Sequence, residues 1–361
     1  VNTNTTAEFD GILSDGGLTK SGSGTLILGA ANTYTGATNL TAGMLSIGND
    51  GALPSASALI MSGTGMLDLN GHSLTFASLT GVSTNKVLNS HADTLSTLTL
   101  SGAGATAFDG ILEDHEGASG GRLALVKSGS GVLTLSGSNT YGGGTTLTSG
   151  VLLIGVDTIG SLGSITSSAV GKGTLTFNGG TISSDGSDGR TLYNGLSFMG
   201  DVTLGYSTYT GQLTFVAAGD LGGSTRTFTV NTNTTAEFDG ALTSATSASG
   251  LTKGGAGTLT LTGVNYYHGD TRIDEGILML ASSGTLGSTD GELIITNATL
   301  DLQNSLRIGS LVMFGEHSQI ITTLGASSLF VATSSTLSHF VSTTNAQEYT
   351  GAVTLGSDTT L

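Results

Sequence analysis

Four adjacent polar side chains form the densest candidate site in the sequence, namely Glu113, Asp114, His115 and Glu116. Carboxylate and imidazole groups bind Ca²⁺ or a transition metal when several of them converge on one point. Adjacent residues of a loop seldom all point inward, so we favour a solvated loop here. A cation site is the alternative, with Glu113, Asp114 and Glu116 as weak candidate ligands.

A second candidate cation site is the stretch SDGSDG at residues 184–189, which has the composition of a calcium loop. It lacks the terminal Glu that closes an EF-hand loop, so we favour a simple turn. Asp185 and Asp188 are weak candidate ligands. We therefore expect no cofactor, and Ca²⁺ is the alternative.

Paired carboxylates raise a third possibility, a carbohydrate-active enzyme. Hydrolytic sites on sugars use two carboxyl groups about 5–9.5 Å apart. Asp68 and Asp93, like Asp270 and Glu292, have the spacing of residues at one point of successive coils. Because no basic residue repeats with them, we expect no catalytic residues and no enzyme activity. A polysaccharide lyase or hydrolase is the least favoured alternative.

The composition restricts which elements could position any of these groups. The chain has 361 residues, of which 59 are Gly and one is Pro, and it lacks Cys. Gly is unfavourable in helices, whereas the abundant Thr and other β-branched residues favour strands. Apolar residues make up 37% of the chain, enough to exclude disorder. A formal net charge of −16 without a basic cluster excludes nucleic acid as a partner.

Sequence repeats define the organisation of the chain. The motif VNTNTTAEFDG occurs at residues 1–11 and again at residues 230–240. A longer block, KSGSGTLILGAANTYTGATNLTAGMLSIG in its first copy, recurs without a gap from Lys127 and from Lys253. The predicted repeat units are 1–97, 98–229 and 230–361.

Each block is typical of short strands, because runs of four to six alternating residues are bounded by Gly or Asn. No segment resembles a helix that could cover them, so the strands must stack coil on coil. The sequence thus predicts an all-β chain folded as a right-handed parallel β-helix (β-solenoid) built from about three long repeat units. Coils of roughly 20–25 residues, stacked ~4.8 Å apart, would form a rod on the order of 70 Å long. A propeller or an up-and-down β-sandwich is the alternative fold.

Four polar positions recur in every repeat unit. We expect one Lys–Asp pair per unit, worth about 0.2–1 kcal/mol if it is exposed, or capping of a turn by the Asp. The Asn residues are expected in turns and the Tyr rings stacked on the corners of coils. A row of ligand contacts, or sugar recognition by exposed Tyr, is the alternative. The positions, which we interpret as structural, are Asp10, Lys20, Asn32 and Tyr34; Asp109, Lys127, Asn139 and Tyr141; and Asp239, Lys253, Asn265 and Tyr267.

The block that begins LTKSGSGTLILGAANTYTG at Leu18 resembles the autotransporter-associated β-strand repeat. That repeat occurs in passenger domains of bacterial type V secretion autotransporters and in related giant surface proteins. The second copy departs from the pattern, because it has LALVK in place of GLTK. The resemblance implies an extracellular location at the bacterial cell surface and an outer-membrane barrel in the same polypeptide.

The function that the resemblance implies is a non-enzymatic structural rod or stalk of a secreted bacterial surface protein. GAVTL at 351–355 repeats GDVTL at 200–204, so we expect a fragment of a longer array. The expected partners are neighbouring repeats or identical chains end to end, with a fibre as one outcome. The alternative is an adhesin that binds host or matrix glycans through loops 113–121 and 183–190 or through a Ser/Thr-rich face.

Overall fold

Short parallel strands separated by tight turns make up the chain in this computed structural model. The structure describes residues 1–115, 120–206, 208–246, 249–281, 283–356 and 359–360. Within these ranges all the regular elements are strands, and there is no helix that could cross a membrane. The chain divides into two compact units, Val1–Thr176 and Phe177–Leu361, which are described in turn.

The first unit contains strands β1 to β19, most of which are three or four residues long. Their bounds are β1 (Thr6–Phe9), β2 (Leu18–Lys20), β3 (Thr25–Leu28), β4 (Thr38–Leu40), β5 (Met44–Ile47), β6 (Ala58–Met61), β7 (Met66–Asp68), β8 (Leu74–Phe76), β9 (Ser78–Thr80), β10 (Lys86–Asn89), β11 (Leu95–Leu100), β12 (Ala105–Phe108), β13 (Ile111–Asp114), β14 (Arg122–Lys127), β15 (Val132–Leu135), β16 (Thr145–Leu147), β17 (Val151–Ile154), β18 (Ile159–Ser161) and β19 (Ser164–Ser167). Strand β20 (Leu175–Phe177) lies at the division between the units.

Parallel pairing joins each coil of the first unit to the next. The neighbours are β1-β3-β5-β7-β10-β13, β2-β4-β6-β9, β8-β11-β14-β16 and β12-β15-β17. Paired residues lie from 19 positions apart, as for Thr6 and Thr25, to 27 apart, as for Leu95 and Arg122. In the described part of this unit the antiparallel exceptions are the hairpin β18–β19 and the isolated bridge between Asn139 and Ser168. The coils therefore extend from just below to just above the predicted length of roughly 20–25 residues.

Apolar side chains stacked in register fill the interior of the first unit. Leu26, Leu45, Leu67, Val87 and Leu112 are successive partners in one sheet, and the last four are fully buried. Side chains alternate between the two faces of a strand, so these positions face inward while the intervening ones face outward. Because each coil buries its apolar side chains only against its neighbours, no coil is stable alone.

The second unit contains strands β21 to β43. Their bounds are β21 (Thr181–Ser184), β22 (Arg190–Leu192), β23 (Leu196–Phe198), β24 (Val202–Leu204), β25 (Leu213–Phe215), β26 (Gly219–Asp220), β27 (Arg226–Val230), β28 (Thr235–Phe238), β29 (Leu242–Thr243), β30 (Leu251–Gly254), β31 (Thr258–Leu261), β32 (Thr271–Ile273), β33 (Ile277–Leu280), β34 (Glu292–Thr296), β35 (Thr299–Leu302), β36 (Leu306–Ile308), β37 (Ser310–Phe314), β38 (Gln319–Ile321), β39 (Leu329–Val331), β40 (Ser335–Leu337), β41 (Phe340–Val341), β42 (Gln347–Tyr349) and β43 (Val353–Leu355).

Parallel pairing also organises the second unit. The neighbours are β21-β24-β27-β30-β32-β34-β37-β40-β43, β22-β25-β28-β31-β33-β35-β38-β41, β23-β26-β29 and β36-β39-β42. Its core begins with stacked rings, because Phe177 and Phe198 have centroids 5.0 Å apart and Phe215 and Phe238 have centroids 4.8 Å apart. Aromatic pairs at such distances add to the stabilisation from buried area.

The predicted parallel β-solenoid is therefore confirmed in each unit. A propeller and an up-and-down β-sandwich are wrong, because both are built from antiparallel neighbours. The three repeat units stay a prediction drawn from the sequence, since packing divides the chain at residue 176 instead.

Candidate functional site

The acidic cluster after Phe108 lies partly on a strand, so the solvated-loop interpretation is wrong for two of its members. Glu113 and Asp114 end β13, where apolar residues pair in register with β10. Both oxygens of Glu113 accept hydrogen bonds from Lys86 Nζ at 3.0 and 3.1 Å. Asp114 accepts hydrogen bonds from two backbone N–H groups, at 2.8 and 2.9 Å. These carboxylates therefore tie neighbouring segments together.

None of the other candidate metal ligands that the structure describes takes part in a cluster of ligands. Asp185 forms an ion pair with Arg190 at 2.8 Å, and Asp188 is exposed. Glu116 lies outside the described residues, as do residues 117–119 of loop 113–121. Among the residues that are described, no three His, Asp or Glu side chains converge as a cation site would require.

The acidic residues that their spacing suggested as catalytic pairs differ in exposure and in their hydrogen bonds. Asp68 is buried and accepts hydrogen bonds from Ser90 N at 2.9 Å and Ser90 Oγ at 2.7 Å, whereas Asp93 is exposed. Asp270 Oδ1 accepts a hydrogen bond from the backbone N–H of Glu292 at 2.8 Å. Asp68 and Asp270 thus join successive coils through backbone groups.

The repeated lysines are buried against carbonyl groups, and the predicted Lys–Asp pair is wrong. Lys20, Lys127 and Lys253 are at most 3% exposed, while the repeated aspartates are exposed. Each ammonium group donates to a carbonyl in the following turn and to a second carbonyl one coil later. These acceptors are Gly22 and Ala42 for Lys20, Gly129 and Ser149 for Lys127, and Gly255 and Glu275 for Lys253. The lysine therefore joins the turns of two successive coils through their carbonyl groups.

Burial lowers the pKa of all three lysines from its usual value. The effect is largest where desolvation brings the pKa of Lys253 to about 8, although the charge of Glu275 opposes it. Desolvation disfavours the charged ammonium, whereas the carbonyl oxygens that it contacts favour it.

A glycine that the sequence does not single out completes each lysine corner. The backbone φ values are +68° at Gly43, +72° at Gly150 and +68° at Gly276. Residues other than Gly seldom adopt this region. A Cβ atom on Gly43 would lie 2.7 Å from Lys20 Nζ. The signal for these residues is their matching position in the three copies, just after the residue whose carbonyl the lysine contacts.

The repeated asparagines are buried bridges between coils, which corrects their expected place in turns. Asn139 Oδ1 accepts from Leu112 N at 2.7 Å, and Asn139 Nδ2 donates to Ala169 O at 2.7 Å. Asn32 and Asn265 make the same two contacts, at 2.6–2.8 Å. Each amide thus joins the coil before it to the coil after it.

The repeated tyrosines lie in the interior and cannot act as exposed sugar platforms. Tyr34, Tyr141 and Tyr267 are at most 2% exposed. Each hydroxyl lies 2.5–2.7 Å from the hydroxyl of a buried threonine four residues later. Burial raises the pKa of Tyr267 to about 12. The partner threonines, which the sequence does not single out, are Thr38, Thr145 and Thr271.

Surface grooves lie beside the buried asparagine of the first and third repeat copies. The first-copy groove, of about 440 Å³, is lined by Ala31, Asn32, Asp50, Gly51, Leu53, Pro54, Ser55, Ser73 and Thr75. The third-copy groove, of about 560 Å³, is lined by Val264, Asn265, Tyr266, Tyr267, His268, Thr285, Leu286, Gly287, Ser288, Thr289, Ser305, Leu306 and Arg307. Both grooves lie next to the bridging asparagine, and they differ in the residues exposed around it.

Comparison with known families identifies the repeated blocks. The Passenger-associated-transport-repeat family matches residues 18–47, 125–154 and 251–280. These segments contain the repeated lysine, asparagine and tyrosine together with the glycine of each lysine corner. The resemblance to an autotransporter repeat is therefore confirmed at all three copies.

Individual proteins similar to this chain are named as adhesins. The "Adhesin BmaC autotransporter" of Brucella suis biovar 1 (strain 1330) is 34% identical over 197 residues, which is 52% of this chain and 5% of the relative. The crystal structure of the Haemophilus influenzae Hap adhesin aligns with 98% of this chain and 53% of that structure, at 15% identity and a TM-score of 0.43. The chain thus spans a small fraction of the length of its curated relative.

Proposed function

We propose that the chain is a non-enzymatic stalk segment of a secreted bacterial surface protein. The observation that carries this proposal is the stacking of coils within each unit, reinforced by asparagines that bridge three successive coils. Such stacking gives a repetitive body whose length grows with the number of coils. The three matched repeats and the autotransporter relative support a location outside the cell.

Two features favour a structural role over an enzymatic one. Asp68 and Asp270 each accept, on one carboxylate oxygen, a hydrogen bond from a backbone N–H group of the neighbouring coil. The repeated lysines are buried against carbonyl groups and offer no exposed base. In this proposal the neighbours of the segment are further repeats or identical chains placed end to end.

Electron microscopy tests the stalk proposal. We would image the purified chain beside a variant in which all 361 residues are duplicated head to tail. A stalk predicts that duplication doubles the particle length and leaves the width unchanged. Two separate globules in the duplicated chain, or a particle that widens, would overturn the proposal. Continuous filaments of the single chain would support end-to-end partners as well.

A second function, adhesion, is favoured by one specific observation. The third-copy groove presents exposed Tyr266, His268 and Arg307, whereas the corresponding corner of the first copy presents threonines. Binding surfaces are enriched in Tyr and Arg relative to the rest of a protein surface. A stalk that also carries a recognition groove would act as an adhesin, and the groove rather than loops 113–121 and 183–190 is where we place that activity.

A further inference from the structure

The two grooves share their framework, which makes their exposed residues directly comparable. Asn32 donates to Ala52 O and Asn265 donates to Thr285 O, so the same contact fixes both corners. Leu53 in the first groove and Leu286 in the third are buried at matching positions. The exposed side chains around this shared framework can therefore be compared position by position.

Aromatic and basic side chains appear at the exposed positions of the third copy. ANTYTG at residues 31–36 corresponds to VNYYHG at residues 264–269. Tyr266 replaces a threonine and is 60% exposed, and His268 replaces another threonine and is exposed. The His268 ring is placed by Ser244, whose Oγ lies 3.4 Å from Nδ1.

Arg307 also lines the third-copy groove and supplies a positive charge there. It follows Ser305 and Leu306 as Thr75 follows Ser73 and Leu74 in the first copy. Its guanidinium lies over the ring of Phe330 at 4.0 Å, and the two residues are register partners in β36 and β39. Such stacking holds the guanidinium in place while its N–H groups can still donate. Among the described residues, the ion pairs found involve other basic side chains.

A negative charge is lost at the same groove. Asp50 lines the first-copy groove, and Ser283 takes its position in the third copy. Ser283 Oγ donates to Thr262 O at 2.9 Å. Since the whole chain carries a formal net charge of −16, an anionic ligand needs a local site where positive charge replaces negative charge. The third-copy groove meets that requirement.

We propose that the third-copy groove binds an acidic glycan, with a uronate unit as the recognised group. Arg307 pairs with the sugar carboxylate, because a guanidinium matches a carboxylate in geometry and charge. The exposed ring of Tyr266 offers a flat apolar surface to the face of a pyranose ring. Ser288 and Ser305 line the groove and exchange hydrogen bonds with sugar hydroxyl groups. A groove of about 560 Å³ falls in the range of small-ligand sites.

The binding test uses two glycans that differ in their acidic sugar. The full chain is titrated by calorimetry at low salt with a hexasaccharide of alternating glucuronate and N-acetylglucosamine, with an oligogalacturonate, and with the neutral hexamer of N-acetylglucosamine. We expect an acidic oligosaccharide to bind and the neutral hexamer not to bind. Raising the ionic strength should weaken the binding, because screening reduces the attraction between exposed charges.

Variants then assign the binding to the groove. Arg307→Gln should weaken binding by about tenfold or more, since it removes a charged hydrogen-bonding partner. Tyr266→Thr, which restores the residue of the other copies, should weaken it by several-fold. Thr33→Ala and Thr75→Ala in the first copy are matched controls and should bind like the unmodified chain. Circular dichroism of each variant would show that the fold is retained.

Several results would overturn the inference. Absence of binding to both acidic oligosaccharides does so, as does equal binding of the neutral hexamer. Equal binding of poly-glutamate would point to an acidic peptide instead, and unchanged binding in Arg307→Gln would place the site elsewhere. The inference rests on the adhesive function proposed above. If the chain does not bind, the stalk proposal still stands or falls by the microscopy test alone. If the particles are globular but still bind the acidic oligosaccharide, only the stalk proposal is overturned.

Discussion

The corner of the first repeat copy (residues 31–36) and that of the third (residues 264–269) are alike inside and different outside. Both bury an asparagine that bridges coils and a tyrosine whose hydroxyl is hydrogen-bonded to the hydroxyl of a threonine. The exposed positions that follow each of these two residues change from Thr33 and Thr35 to Tyr266 and His268. Sequence repetition therefore maintains the scaffold, while its exposed positions are free to take up other roles.

Adjacent tyrosines in the third copy provide the strongest test of this contrast. Tyr267 is 1% exposed and Tyr266 is 60% exposed. Tyr267→Ala should lower the free energy of unfolding by about 3–5 kcal/mol, the usual cost of removing a buried ring. Tyr266→Ala should change it by no more than about 0.5 kcal/mol. Urea unfolding of the two variants measures the difference, and similar losses would refute the division into inside and outside.

The buried lysine of the third copy should give the chain a distinctive pH dependence. The pKa of Lys253 is lowered to about 8 from 10.5, so the unfolded chain binds this proton more tightly between those values. Stability should therefore rise with pH in this window. We expect a gain of about 2 kcal/mol between pH 7 and 9.5 from this group.

Comparison with Lys253→Met isolates that gain from the titration of other groups. The variant has no proton to lose at this position, so its stability should rise less over the same range. Tyr267 has the opposite effect, because its pKa is raised to about 12 in the folded chain, so its contribution to stability falls as the pH rises beyond about 10. The upper limit of pH 9.5 avoids this effect. Urea unfolding at each pH gives the measurement, and parallel profiles for both chains would contradict the predicted shift.

The tyrosine hydroxyls should contribute less than the rings. Tyr34→Phe and Tyr267→Phe keep the ring but leave the hydroxyls of Thr38 and Thr271 without this partner. Each change should cost about 1 kcal/mol, the usual net value of a hydrogen bond. Tyr266→Phe is the exposed control and should have almost no effect. A loss in the control equal to that in the buried variants would indicate that the corner is packed differently.

The sequence predicts the fold well but the roles of individual polar residues poorly. Glycine-bounded alternating runs and three aligned blocks are local signals, and they suffice for a parallel solenoid. Whether Lys20 faces a carboxylate or a carbonyl depends on which residue of the next coil lies beside it, and the sequence pattern does not give that register. The same holds for Asn139, whose partners Leu112 and Ala169 lie 27 and 30 residues away.

Arg307 illustrates why the groove escapes detection from sequence. Arg307 and its ring partner Phe330 lie outside the matched repeats, whereas the groove residue Tyr266 lies inside one, and only the stacking of coils places Arg307 near both. The groove could have been found from the sequence by comparing the exposed positions of the repeat copies. ANTYTG and VNYYHG share the buried Asn and Tyr but differ at the exposed positions.

The smallest expected effect comes from rebuilding the third-copy surface on the first copy. Replacing Ala31, Thr33 and Thr35 by Val, Tyr and His changes only positions outside the shared scaffold. The free energy of unfolding should stay within about 0.5 kcal/mol of the unmodified chain, as measured by urea titration.

If Thr75→Arg is added, Asp50 still lines the rebuilt groove, so acidic oligosaccharides should bind there only after Asp50→Ser is included as well. Stability lost in the triple variant would show that these exposed positions also belong to the scaffold, and binding with Asp50 in place would show that removal of the negative charge is unnecessary.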